Sequence, residues 1–348
     1  MLRIDHLEEH MASIMDVAIE AGVSPTSVSH TLSGKRKVSA EIQVKVRAAM
    51  ERLGYQPSRT AQNLARGKTK IIAAVVPDIG NSFFAELTKG VEAAAVSRGY
   101  NVILCTTGFD HEREIQYLRM VKSRAVDGVV YAAGAPPSNS EVHRVLGDMP
   151  MVFVDEEIPG TDFGSYVSDS EAGAKMVARH LLELGHRSVL VLDVFANTAT
   201  SIRRTGSFEA AWMAGGGKRF VATKADYTER GGRDAVMPHM EALRSGEITA
   251  IFSLNDFMAI GAINHLKAEG INVPNEVSVV GFDDVLASRY MWPALTTVRQ
   301  DVTALGTVAT LALLSFLEGD TPLVKEQVLF PVELVVREST AKRAGPTR

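Results

Sequence analysis

Polar and aromatic residues gather at a few points of this 348-residue chain, each directly after a short apolar run. Asp78, Asn81, Phe83 and Phe84 follow IIAAVV, Asp155 ends PMVFVD, Asn255 and Asp256 follow AIFSL, and Asp283 and Asp284 close VSVVGFDD. Arg203 lies in the segment after SVLVLD, and Tyr290 and Trp292 offer two more rings. Carboxylates and amides bond vicinal hydroxyls, a guanidinium clamps them, and aromatic rings stack on the apolar face of a sugar. That chemistry holds a small polyhydroxylated ligand. Chemistry that transforms one is not evident. No GxGxxG follows the first apolar run, and Ala214-Gly215-Gly216-Gly217-Lys218 lacks the Ser or Thr that completes a phosphate loop. Neither a GxSxG elbow nor metal-spaced histidines occur. No catalytic residue, metal site or cofactor is therefore expected, and the reading is of a binding protein and not an enzyme.

For such residues to converge, the apolar runs must be strands of parallel sheets, because ligands in those folds sit beyond the carboxyl ends of the strands. The pattern from residue 71 onward fits. Strands are expected over 71–76, 101–106, 127–133 and 150–155, with helices over 83–98 and 111–123. A second series follows: helix 170–184, strand 188–193, helices 201–214 and 229–244, strand 250–254, helix 256–269 and strand 277–284. Two series predict two Rossmann-like α/β lobes with a cleft between them.

The residues before 71 read differently. Ser13 can cap a helix that starts at Ile14, and Gly22 stands where a helix ends in the left-handed conformation. Ser24 caps a second helix with Pro25 at its first position. Two short helices around a tight turn form a helix-turn-helix. In the second helix, Val28 and Leu32 face inward with Val23, leaving Pro25, Thr26, Ser29 and His30 on an outer face that is polar and uncharged. Such a face suits base edges. A third helix follows the Ser39 cap, with Ile42, Val46, Ala49, Met50 and Leu53 on its core side. The segment SRTAQNLARGKTK, residues 58–70, is cationic and helix-capable, with Leu64 as its one large apolar side chain. It is either a linker helix or a helix ordered by DNA and its own copy, with Leu64 wedged into the minor groove.

Charge separates the same two regions. Residues 11–70 carry ten cations and four anions, while the whole chain sums to −4, so the remainder is strongly acidic. A basic head on an acidic body fits a phosphate-binding module joined to a ligand-binding one. The composition, 46% hydrophobic and 22% charged, is that of a globular protein, and no apolar run reaches eighteen residues. Cys105 is the single cysteine, which excludes an internal disulfide, and MLRIDHLEEH has no secretory h-region. These features point to the cytoplasm. They also argue, with the head, against a secreted transport protein.

With both regions read, the chain resembles the LacI/GalR family of bacterial transcriptional regulators over about residues 12–338. The residues that carry the resemblance are DVAIEAGVSPTSVSHTLSG with KVSAE, GYQPSRTAQNLARG, VVPDIGNSFFAEL, LNDFMAIGA, SVVGFDD and LTTVRQD. It implies an all-α helix-turn-helix head (11–57), a hinge helix and linker (58–70), and a two-lobed body (71–340) like that of periplasmic binding proteins. The lobes are expected at about 71–166 plus 299–329 and about 167–296 plus 330–340. It implies a homodimer on a pseudo-palindromic operator, with no membrane partner. Contacts to DNA are expected from Ser24, Pro25, Thr26, Ser27, Ser29, His30, Lys35, Arg36, Arg59, Ala61, Gln62 and Leu64. Of these Thr26 and His30 are the principal base readers and Leu64 the minor-groove lever. His30 stands where many members carry arginine. In the cleft, Asp155, Arg203, Asn255 and Asp283 match effector positions, and Asp78, Asn81, Phe83 and Phe84 belong to the matching first loop. Glu156 and Glu157 depart from a pattern in which arginine is common after the aspartate; they disfavour an anionic effector and favour a neutral sugar or polyol. The tail AKRAGPTR lacks the leucine heptads of tetrameric members. The match starts near Ser13, so residues 1–10 read as an appended segment, with either Met11 as the start or a disordered arm before it.

Overall fold

The computed structural model describes residues 12–33, 36–55, 68–123, 126–158, 160–195, 198–323 and 325–343. The chain divides into two compact units, Met1–Lys70 and Ile71–Arg348.

The first unit contains α1 (Ile14–Ala21), α2 (Pro25–Ser33) and α3 (Ala40–Arg52). Ser13 and Asp16 form a reciprocal cap on α1: the Asp16 N–H donates to Ser13 Oγ at 3.3 Å and the Ser13 N–H to Asp16 Oδ2 at 2.8 Å. Gly22 ends the helix at φ 63°, a conformation that strains residues with a Cβ. The turn then delivers Val23, whose N–H bonds the Ala18 carbonyl at 3.0 Å. Val17, Ala18, Ala21, Val28, Val46 and Ala49 form the buried core of this unit, with Val23, Leu32, Ile42 and Met50 half-buried around it. Leu53, expected in that core, is exposed instead. It is the C-cap of α3, where the chain leaves helical phase.

The second unit holds two six-stranded sheets. The first is built from β1 (Ile71–Val76), β2 (Asn101–Thr106), β3 (Gly128–Tyr131), β4 (Met151–Val154), β5 (Ser165–Ser168) and β11 (Gln327–Phe330). The second uses β6 (Ser188–Val194), β7 (Arg219–Ala225), β8 (Ala250–Ser253), β9 (Ser278–Asp283), β10 (Thr296–Arg299) and β12 (Glu333–Val335). Their orders are β2-β1-β3-β4-β5-β11 and β7-β6-β8-β9-β10-β12. Every pairing is parallel except β10 with β12. The two lobes thus share one winding, with its switch point between β1 and β3 in one and between β6 and β8 in the other.

Helices cover the sheets: α4 (Ser82–Ser97), α5 (His111–Ser123), α6 (Asn139–Leu146) and α13 (Val302–Glu318) on the first, with α7 (Ser170–Glu183), α8 (Ala199–Ala214), α9 (Glu229–Val236), α10 (Met240–Arg244), α11 (Asp256–Ala268) and α12 (Leu286–Tyr290) on the second. The chain crosses between lobes three times, from β5 into α7, from β10 into α13 and from β11 into β12. Aspartates cap both crossing helices: Asp169 accepts the Ala172 N–H at 2.9 Å and Asp301 the Ala304 N–H at 3.0 Å. The span 229–244, expected as one helix, breaks into α9, a 3₁₀ turn over Met237–His239 and α10. Pro238 lies in that turn; it has no N–H to continue the helical ladder.

Candidate functional site

On α2 the polar residues are exposed or half-buried around a regular helix, opposite its buried valine. Ser24, Pro25 and Thr26 are exposed, Ser27, Ser29 and His30 are half-buried, and Val28 is buried. Ser24 caps the helix by accepting the Ser27 N–H at 3.1 Å, and Thr31 Oγ1 ties back to the Ser27 carbonyl at 2.8 Å. Arg36 is exposed beyond the helix. Arg52 is engaged elsewhere, pairing with Glu20 at 2.8 Å between α3 and α1. Lys35, Arg59, Ala61, Gln62 and Leu64 lie outside the described residues.

In the body, loops from both lobes meet in a cavity of about 50 Å³. Asn81 caps α4 by accepting the Phe83 N–H at 2.9 Å, which turns Phe83 and Phe84 inward. Those rings meet edge to face at 5.1 Å; Phe109 adjoins Phe84 at 6.2 Å and stacks on Tyr227 at 6.3 Å. Asn255 caps α11 by accepting the Met258 N–H at 2.9 Å and donates Nδ2 to the Tyr227 carbonyl at 3.3 Å. Gly232 and Gly261 make that neighbourhood possible. A Cβ at either would strike backbone, of Met258 and Glu229 respectively, so α9 and α11 touch directly.

Asp155, Glu156 and Asp283 supply carboxylates to the cavity, and Arg204 supplies a guanidinium. Asp155 at φ 67° and Asp283 at φ 121° hold left-handed backbone that glycine would favour, strain of the kind found at binding sites. Burial pushes Asp155 up to about 7, with Glu156 and Asp283 raising it and Arg204 opposing. Burial likewise holds Glu156 above the usual range against hydrogen bonds from Thr200 and Thr198. Asp283 is raised for the same first reason, with Arg204 again opposing.

Arg204 is 4% exposed. Its Nη1 donates to the Leu254 carbonyl at 2.8 Å and lies 3.8 Å from Asp283 Oδ1, while its plane covers the Phe282 ring at 3.8 Å. Glu156 reaches from one lobe to the start of α8 in the other and accepts the Thr200 N–H at 3.1 Å, a favourable place for negative charge. Thr200 Oγ1 returns a bond to the Asp155 carbonyl oxygen at 3.1 Å.

Asn81, Phe83, Phe84, Asp155, Asn255 and Asp283 are thus brought together as expected from the strand-end rule. Arg203 is not. It pairs with Glu157 outside the cavity, and Arg204 takes the inward position, because successive helical residues point about 100° apart. Asp78 is exposed and turns onto the Gly80 N–H at 2.8 Å instead of entering the cavity. Tyr290 and Trp292 are 82% and 74% exposed and line no part of it. Asp256 accepts from Thr297 Oγ1 at 2.5 Å and from the Val285 N–H at 2.9 Å, anchoring strands instead. Asp284 is bound by Arg289 at 3.0 Å, by Arg299 at 2.6 Å and by Arg337. Phe109, Thr198, Thr200, Arg204 and Tyr227 line the cavity as well, with Ala133 and Gly134, and no sequence pattern marks them; Glu156, the acid after Asp155, also reaches it. Past Phe83 and Asp283 a second cavity of about 470 Å³ is bordered by Glu86, Arg289, Arg299 and Gln300.

A capped helix-turn-helix and a two-lobed body with a polar, ring-lined cleft define a DNA-binding protein of the ligand-responsive class. Comparison with known proteins agrees. Residues 13–58 match bacterial regulatory proteins of the lacI family, and residues 69–331 match the periplasmic binding proteins and sugar binding domain of that family. The chain belongs to the lacI family. It is 33% identical over 343 residues to the HTH-type transcriptional repressor PurR of Aliivibrio fischeri (strain MJ11), covering 96% of this chain and 99% of the relative. It superposes on the lac repressor dimer bound to operator and the anti-inducer ONPF with a TM-score of 0.80 at 27% identity, over 95% of this chain and 99% of that one. A LacI family regulator from Enterococcus faecalis V583 with bound ribose gives a TM-score of 0.71 at 30% identity, over 78% and 99% of the two chains.

Proposed function

We infer that the chain is a sequence-specific transcriptional repressor, acting in the cytoplasm as a homodimer on a pseudo-palindromic operator, and that a small sugar or sugar derivative in the cleft sets its affinity for DNA. The observation that carries this reading is the pairing, in one chain, of an exposed polar recognition helix with a buried cleft that gathers Asn81, Asp155, Arg204, Asn255 and Asp283. The repressor name of PurR, the lac repressor dimer on its operator and the ribose in the Enterococcus relative support it.

In this reading Pro25, Thr26, Ser29 and His30 face base edges in the major groove, with Ser24 and Ser27 beside them. Lys35, Arg36 and Arg59 neutralise phosphates, and Ala61, Gln62 and Leu64 enter the minor groove. A histidine at position 30 offers one donor or acceptor where an arginine would hold guanine with two. In the cleft, Asn81, Asn255, Asp155, Asp283 and Arg204 bond ligand hydroxyls, and Phe83 and Phe84 cover the ring's apolar face. The ligand is bound and released unchanged. It alters operator affinity only through unequal affinity for two arrangements of the lobes.

Selection of bound duplexes from a random pool, repeated with and without a sugar panel, tests this. A pseudo-palindromic consensus whose recovery changes with one sugar is expected. Equal recovery of all sequences would overturn it.

A further inference from the structure

Among the described residues that line the cleft, carboxylates outnumber cations. Asp155, Glu156 and Asp283 face a single guanidinium among the described residues that line the cavity, that of Arg204. Arg204 is already engaged: Nη1 on the Leu254 carbonyl, Nε on Ser170 Oγ at 3.3 Å, and its face on Phe282. The Asn255 amide spends one of its two N–H donors on the Tyr227 carbonyl. Gln300 donates Nε2 to Asp283 Oδ1 at 2.7 Å, and its Oε1 is buried without a hydrogen-bond partner. The Asp155 carboxylate receives no hydrogen bond among the described residues; burial raises it, and the charges of Arg204, Glu156 and Asp283 act on it besides. Glu156 differs, since the start of α8 satisfies it.

What remains is a pair of carboxylate acceptors on Asp155 and Asp283, with one cation shared among the three carboxylates that line the cavity. Uncompensated buried charge is costly, and a hydroxyl supplies one hydrogen and no charge. An ammonium supplies three hydrogens and the missing charge. The rings of Phe83, Phe84, Phe109 and Tyr227 add π faces that attract a cation.

We propose that the effector is a protonated amine on a polyhydroxylated ring, an amino sugar or aminocyclitol, with its ammonium against Asp155 and Asp283 and its ring on Phe83 and Phe84. This rests on the reading of the cleft as the effector site, and sharpens the expectation of a neutral sugar.

Calorimetry on the full chain with matched probes tests it: D-glucosamine, D-galactosamine, D-mannosamine and 2-deoxystreptamine, each against its hydroxyl counterpart (myo-inositol for the last) and, for the sugars, the N-acetyl form. At least one amine is expected to bind ten-fold or more tightly than its neutral partners. Asp155→Asn and Asp283→Asn are each expected to weaken that amine by at least about 30-fold, with thermal unfolding confirming that one or both fold. Binding of a neutral partner as tightly as its amine, or of no amine in the panel, overturns the proposal. A neutral sugar lost on Asn255→Ala overturns the charge argument but keeps the cleft. A probe whose affinity survives Asn255→Ala, Asp155→Asn and Asp283→Asn overturns the cleft reading itself.

Discussion

Ser24, Pro25 and Thr26 stand exposed along one short helix, whereas Asn81, Asp155, Arg204, Asn255 and Asp283 converge on one cavity from separate loops and helix starts. On α2 the polar groups keep their water, and the helix is held by Val28 on its other side. In the cleft Glu156, Arg204, Asn255 and Asp283 are buried and depend on their neighbours: Asp283 on Gln300 and Arg204, Glu156 on Thr200, Asn255 on the start of α11. The difference teaches how separable function and stability are in each place. Head residues can change what is read without changing the fold. Cleft residues cannot be altered without touching both.

The largest test of that contrast is Arg204→Met, which leaves three carboxylates around the cavity without their cation. Removing one member of a buried ion pair costs about 3–5 kcal/mol, so urea unfolding of the body should shift by that order, with effector response lost. A shift within about 0.5 kcal/mol would show the cluster to be solvated and the contrast wrong.

Titration probes the same cluster. With Asp155 raised by burial to about 7, the folded chain holds a proton there that the unfolded chain releases near pH 4. This group therefore favours folding at low pH, and its contribution is lost as pH rises through about 7. Asp155→Asn should remove that slope, so the variant gains on the wild type from pH 5 to pH 8. Parallel stability profiles would place the carboxylate in water.

On the head, Thr26→Ala or His30→Ala should lower operator affinity by about 1–3 kcal/mol and relax preference at one position per half-site, with the melting temperature unmoved. Footprints on single-base operator variants read this. Ser13→Ala should cost about 1 kcal/mol through the lost cap, seen in the amide exchange of α1 and not in effector binding. The smallest effect belongs to Arg203→Gln. Its partner Glu157 lies outside the cavity, and the pair is half-buried and forms no part of the lining. Effector affinity should stay within about two-fold, which sets Arg203 sharply apart from its neighbour.

The same contrast explains what could be read without coordinates. Helix caps and apolar spacing are local, so Ser13, Gly22, Ser24 and the inward Val28 follow directly from sequence neighbours. Strand ends are local too, which is why the convergence of Asn81, Asp155, Asn255 and Asp283 on one cavity is legible in the sequence. Helix phase over a loop is not. Thr198 caps α8 so that it begins at Ala199, two residues before the expected start, and the inward arginine is Arg204 and not Arg203. Tyr227 follows β7, a mostly half-exposed edge strand with no apolar run to mark it. The fate of Asp284 depends on Arg299 and Arg337, 15 and 53 residues away.

Glu156 on the Thr200 N–H joins one lobe to the other, and the cavity that both residues line measures about 50 Å³, below the roughly 300–1,000 Å³ of ordinary ligand sites. A ligand of sugar size therefore fits only once the lobes move apart. Exchange is then paced by the opening step and not by diffusion: in stopped flow the association rate should level off as ligand is raised, at a ceiling that Glu156→Ala lifts. A regulator built this way responds to sustained supply of its ligand and filters out brief pulses.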